Sequence, residues 1–294
     1  IVSSYSAEEI YAKALEAKSN LHREMFTLTK KMWEQYLAGT KMPSDSLVAI
    51  RMMIDKLSLV HCHRDSFMAS IEAQIPELTA FVNEHDLVFL DPEKPLVVRQ
   101  EPAYMAGVAG ASISAPGPYD KYGDTYYNVG TLVNYTDEQA ESFLREYNKY
   151  MLQILNIHEA IPGHYAQLVY SNQSPSLVKS VFGNGAMVEG WAVYTERMML
   201  EEGYGNNSPE MWLMYYKWNL RTTCNTILDY SIHVNGMTED QALDLLINQA
   251  FQQEAEAKGK WRRATLSQVQ LCSYFTGFTE IMDLRNEMKA KQGD

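Results

Sequence analysis

Residues 150–166 read Tyr-Met-Leu-Gln-Ile-Leu-Asn-Ile-His-Glu-Ala-Ile-Pro-Gly-His-Tyr-Ala. The run is helical in character up to His158 and Glu159, then meets Pro162 and Gly163 before reaching His164. It cannot continue as one regular helix. Proline lacks the helical N–H and clashes with the carbonyl four residues back, here that of His158. On an unbroken helix a spacing of six would set the two imidazoles about 240° apart, whereas a spacing of four offsets them by only about 40°. The four-residue spacing belongs to H-E-x-x-H, in which two histidines on one face bind zinc and the glutamate acts as general base. Here two extra residues stand between the histidines, and they are Pro-Gly. Glycine tolerates whatever backbone a break requires. The spacing therefore predicts a kink or bulge at Pro162-Gly163 that brings His164 back beside His158.

The rest of the chain is consistent with a mainly α protein holding one small antiparallel β-sheet. Its 294 residues, 46% hydrophobic and 21% charged, suffice for a large core. They read as a single catalytic domain, 1–294, with a helical region at 1–85, a small sheet and loops at 86–135, and a helical metal-site region at 136–294. Ser6-Ala7-Glu8-Glu9 opens a helix that runs to about Leu37, Pro43-Ser-Asp-Ser46 opens a second, and a third spans roughly 64–84 across Pro76. Thr136-Asp-Glu-Gln139 caps the helix expected to carry the His158 motif. Further helices are predicted over about 187–202, 209–235, 238–258 and 267–291.

Strand signals are confined to 95–99, 111–114 and 125–133, with the turn-rich Ala115–Gly123 between the last two. The strand at 125–133, which includes Tyr127, comes shortly before the motif. In many metallopeptidases a strand beside the active-site helix pairs with the substrate backbone, so this strand is expected to bind substrate, with Tyr127 among the contacts.

A formal net charge of −12 argues against nucleic acid or an anionic membrane surface as partner. The three cysteines, Cys62, Cys224 and Cys272, allow at most one disulfide and so no disulfide scaffold. There is no apolar run of about 18 residues that could span a bilayer. The sequence starts at Ile1 without a Met, so the lack of a signal peptide says nothing about compartment.

A hydrolytic zinc site needs about three protein ligands and an open position for water, whose pKa the metal lowers toward about 7. His158 and His164 supply two ligands, and Glu159 is placed to act as base. The best candidate for the third is Glu189 in Met187-Val-Glu-Gly-Trp-Ala-Val-Tyr-Thr-Glu196. Glu196 lies seven residues on, close to two turns and hence on the same face. One glutamate can ligate while the other orients a histidine N–H. His61-Cys62-His63 point in three directions on a helix and read as structural.

His158-Glu-Ala-Ile-Pro-Gly-His164 with Glu189-Gly-Trp-Ala-Val-Tyr-Thr-Glu196 resembles the bacterial "domain of unknown function 885" family, most strongly from about Tyr126 to Arg285. Asp229-Tyr-Ser-Ile-His233 before Gly236-Met-Thr, together with Arg263, Tyr274, Gly277 and Arg285, matches further family segments. The resemblance implies a helical zincin-like architecture, one zinc ion and metallopeptidase activity of carboxypeptidase or oligopeptidase type on a peptide substrate. A non-peptidase zinc amidohydrolase and an inactive binding protein are the alternatives. It also implies a full-length protein about twice this size, of which the chain is the C-terminal half, and an extracytoplasmic location, since many members carry secretion or lipoprotein signals. In this frame His233 or Tyr274 donates to the oxyanion and Arg263 binds a substrate carboxylate. The chain departs from the family pattern at three points: Tyr165 replaces a second His, Gln268-Val269 replaces Pro-Gly, and Phe275 replaces Lys.

Overall fold

The computed structural model describes residues 3–105, 110–118, 120 and 122–293. Residues 119 and 121 of the turn-rich Ala115–Gly123 stretch lie outside the described residues. The chain forms two compact units, each discontinuous in sequence. One comprises Ile1–Val60, Gly185–Gly190 and Gly205–Asp294, the other His61–Asn184 and Trp191–Tyr204.

The first unit is helical and is built around α9 (Pro209–His233). Ser208 caps α9 by accepting from Met211 N, and Pro209 sits in its first turn, where no N–H is needed. Residues on nearly every side of α9 are buried, which marks a central helix rather than an amphipathic surface one. Against it lie α1 (Ala7–Leu37), α2 (Ser46–Leu57), α11 (Glu254–Leu266) and α12 (Ser273–Gln292). The Ser6–Glu9 capping box predicted for α1 is present. The helix expected over 238–258 is broken. After α10 (Glu239–Leu243) the chain runs through a π-helical turn, 244–249, and Phe251 takes φ 58° before α11 begins. The first turns of α8 (Gly185–Glu201) cross α12 with the backbones almost touching: a Cβ on Gly190 would come within 2.3 Å of Gly277 C.

The second unit holds α3 (Phe67–Glu84), the sheet, α4 (Asp137–Glu146), α5 (Lys149–Glu159), α6 (His164–Asn172) and α7 (Leu177–Val181), with the later turns of α8. The sheet comprises β1 (Leu96–Gln100), β2 (Ala111–Ser114) and β3 (Thr125–Val129) in the order β1-β3-β2. It is mixed, not antiparallel as expected: β1 pairs with β3 in parallel and β2 with β3 antiparallel. Parallel pairing needs a connection of about a dozen residues or more, and the stretch between β1 and β3 supplies it.

The helix opened by Thr136 does not reach His158. It ends at Glu146, and a second cap starts α5. Asn148 is fully buried, accepts from Tyr150 N at 3.1 Å and Met151 N at 3.3 Å, and donates to Arg145 O at 2.9 Å. Asparagine is a strong N-cap residue, and Tyr147-Asn148 was the sequence signal for this break.

Candidate metal centre

α5 is amphipathic and almost wholly buried from Met151 to His158. Its last regular residue is Glu159. Beyond it, Ala160 and Ile161 both donate to Asn156 O, at 2.9 and 3.1 Å, and Gly163 donates to Ile157 O at 3.0 Å. The Ile161–Pro162 peptide is cis. A new helix, α6, begins at His164. The predicted break is therefore present, as a complete change of helix. The part played by Gly163 differs from the expectation. Its φ is −72°, within reach of any residue, but a Cβ there would lie 1.9 Å from His158 O and 2.3 Å from Ile157 O. Glycine is required for space, because the chain folds back onto the end of α5.

The turn brings the two histidines together. Their ring centroids are 4.8 Å apart at an interplanar angle of 84°. The potential ligand atoms of His158, Glu159 and His164 all lie within 4.8 Å of one another. On its far side His158 is fixed: Nδ1 lies 2.6 Å from Glu196 Oε1, with the side chains 6% and 0% exposed. That leaves Nε2 as the nitrogen facing the cluster. A carboxylate on the distal nitrogen of a metal-ligating histidine sets the tautomer and raises ligand basicity. Of the two glutamates considered for the site, Glu196 is the one that orients a histidine. Trp191 Nε1 donates to Pro162 O at 3.0 Å and ties α8 to the turn. This donor set fits a divalent ion of borderline softness such as zinc.

Tyr127 does not have the substrate-contacting position expected of it. It is 0% exposed, and its hydroxyl donates to Asn156 Oδ1 at 2.8 Å. Asn156 donates in turn to Gln74 Oε1 at 2.7 Å. Burial, and then the nearby Glu159 carboxylate, raise the Tyr127 hydroxyl well above the usual tyrosine range. Alternation along β3 turns Tyr127 inward, where it braces α5 two residues before His158. β3 cannot receive a peptide strand either, being flanked on both sides. Strand β2, which packs against α5, is at the sheet edge. Since Gly130 N donates to Gly110 O, antiparallel alternation turns the backbone of Ser112 and Ser114 toward β3 and that of Ala111 and Ile113 outward. Asn156 and Gln74 are site-supporting residues that the motif spacing does not point to; an asparagine within the apolar run before His158 is the available signal.

The remaining expected residues lie in the first unit. Arg263 donates to Gln270 Oε1 at 2.6 Å, and Gln270 Nε2 donates to the Tyr274 hydroxyl at 3.4 Å. Burial raises the Tyr274 pKa and the Glu189 charge adds to it, so Glu189, Tyr274 and Arg263 form one neighbourhood. His233 is placed elsewhere in this unit, with Nε2 donating to Ala264 O at 3.0 Å and 3.4 Å from Asp229 Oδ1.

The chain is similar to known proteins in sequence and in fold. The family described as "Bacterial protein of unknown function (DUF885)" matches residues 2–294. The chain belongs to the DUF885 family. A solved structure from Shewanella oneidensis, described as a candidate lipoprotein of unknown function, is 64% identical with a TM-score of 0.92 and matches 99% of this chain. A second, from Colwellia psychrerythraea and also described as a candidate lipoprotein, is 21% identical with a TM-score of 0.82 over 99% of this chain, a likeness of fold. The chain spans about half the length of each, 52% and 48%. No curated protein matches it. Among the described residues no helix is long and apolar enough to cross a membrane.

The departures from the family pattern now have structural readings. Tyr165 is buried, and its hydroxyl donates to Lys94 O, pinning α6 to the segment before β1. Phe275, which the resemblance sets at a Lys position, is buried. Val269, which the resemblance sets at a Gly position, takes φ 70°, the left-handed backbone that glycine adopts freely and a β-branched residue does not.

Proposed function

We propose that this DUF885 chain is a zinc-dependent hydrolase acting on peptides, outside the cytoplasm. The observation that carries the reading is the convergence of His158 and His164 across the Pro162-Gly163 turn, with Glu159 in the same cluster and Glu196 on His158 Nδ1. His158 and His164 would hold the ion, and we assign Glu189 as third ligand from its sequence position on α8. Zinc bound by such a set would supply Lewis acidity. Glu159 accepts a proton from the attacking water and passes it to the leaving amine. Tyr274, kept protonated by burial and the Glu189 charge, is the preferred oxyanion donor. His233 is second choice because its Nε2 is already committed to Ala264 O. Arg263 is the proposed carboxylate anchor. The outward-facing backbone of β2 offers an edge for an extended peptide, so the substrate strand is reassigned from β3 to β2.

A peptide-library digest by the zinc-loaded chain, with Glu159→Gln as control, tests this. Cleavage that the variant loses supports the reading; equal cleavage by both overturns the mechanism. Hydrolysis of other amides without any peptide cleavage would move the assignment to a zinc amidohydrolase. Absence of stoichiometric zinc would leave a binding protein.

A further inference from the structure

Asp229, His233 and Cys272 open onto a cavity of about 430 Å³ that lies wholly within the first unit. Small-ligand pockets span about 300–1,000 Å³. One wall is the N-terminal segment, held by Ser3 Oγ donating to Glu280 at 2.7 Å. The floor is the late part of α9, Thr226 to Val234, and the start of α12 closes it at Cys272 and Thr276.

Among the described residues the lining carries no lysine or arginine, and Asp229 is its one carboxylate. Asp229 is 3% exposed and weakly satisfied. Cys272 Sγ donates to Oδ2 at 3.0 Å, and His233 Nε2 lies 3.4 Å from Oδ1 while bonding Ala264 O at 3.0 Å. A thiol is a weak donor, and a buried carboxylate is costly without strong donors. Burial and the adjacent Asp229 hold the thiol protonated, so Cys272 acts here as a donor and not a nucleophile. Thr226 borders the same space, but its hydroxyl is buried beneath the cavity surface. Tyr230 adds an aromatic surface and Ile10 an apolar one. The three titratable groups are not drawn into a metal-binding cluster, since the one such group among the described residues is His158, Glu159 and His164.

We propose that this cavity binds a small primary ammonium compound with an apolar or aromatic tail. Its ammonium donates to Asp229, supplying the charge-assisted hydrogen bond the carboxylate lacks, and the tail packs along Tyr230 and Ile10. The site requires neither zinc nor hydrolysis, so it stands or falls apart from the function proposed above.

The test uses the 294-residue chain and three probes of matched shape: phenethylamine, the neutral 2-phenylethanol and the anionic 3-phenylpropionate. Calorimetric titration is expected to show millimolar or tighter binding of the amine alone. Asp229→Asn should weaken it by about tenfold or more, as expected for loss of a hydrogen bond to a charge. Val234→Trp, which adds bulk at an exposed lining position, should block it, and decides the matter alone if circular dichroism shows Asp229→Asn unfolded. Equal binding of the alcohol, unchanged amine affinity in a folded Asp229→Asn or in Val234→Trp, or no amine binding at all overturns the proposal.

Discussion

Glu196 Oε1 lies 2.6 Å from His158 Nδ1, with both side chains buried. The contact fixes the imidazole so that Nε2 faces His164 and Glu159. Replacing the carboxylate by an amide keeps the shape but removes the charge that raises ligand basicity. Glu196→Gln should therefore weaken zinc binding by about 10–100-fold. Competition with a chromogenic chelator measures it, and an unchanged affinity would remove Glu196 from the site.

Two glycine substitutions should act in opposite directions. Gly163→Ala drives a methyl group to within 1.9 Å of the His158 carbonyl, in backbone that cannot yield without moving His158. The expected cost is at least about 3 kcal/mol, the upper end for overpacking, with loss of zinc binding. Gly259 lies exposed within α11, and a Cβ there would meet nothing within 4 Å. Gly259→Ala should stabilise by about 0.5–1 kcal/mol through helix propensity. Urea denaturation compares the two.

Val269 holds a left-handed backbone, φ 70°. For an L-residue this costs about 1–2 kcal/mol. Val269→Gly should raise stability by a similar amount, less the entropy that glycine adds to the unfolded chain. A lower melting temperature in the variant would show that the valine side chain contributes more than its backbone costs.

Stability should also depend on pH through His22. Its Nε2 bonds the Gln249 carbonyl at 2.8 Å, and burial outweighs that bond to lower the pKa below 6.5. Between the folded and unfolded pKa values the unfolded chain binds more protons, so stability rises with pH across that window. The contribution is complete above about 6.5 and is lost as the pH falls through the lowered value. His22→Gln should flatten this part of the curve in urea titrations between about pH 5 and 7, the window about the ordinary His pKa of about 6.5.

Tyr127→Phe tests the bracing role assigned to that residue. The Tyr127 hydroxyl and Asn156 Oδ1 are both buried, so its removal leaves the acceptor short of a partner. The expected loss is about 1–3 kcal/mol, read by urea denaturation. No loss would mean that the hydroxyl does not brace α5.

The sequence by itself determined the break at Pro162-Gly163, the helix content and the positions of the strands. These are local consequences of backbone chemistry: proline cannot continue a helix, Ser6 and Thr136 cap by their own side chains, and apolar spacing sets the buried faces. The resemblance carried by residues 158–164 and 189–196 extended that to the family. Tertiary structure decided the rest. Strand order depends on which edges meet, so the mixed sheet and the central place of β3 were not readable from three short runs, and with them went the substrate role of Tyr127. That Glu196, of the two glutamates on α8, holds His158, and that Gly163 is needed for space and not for φ, both follow from chain segments that fold back on one another. Periodicity records which residues turn inward; only packing determines what they meet there.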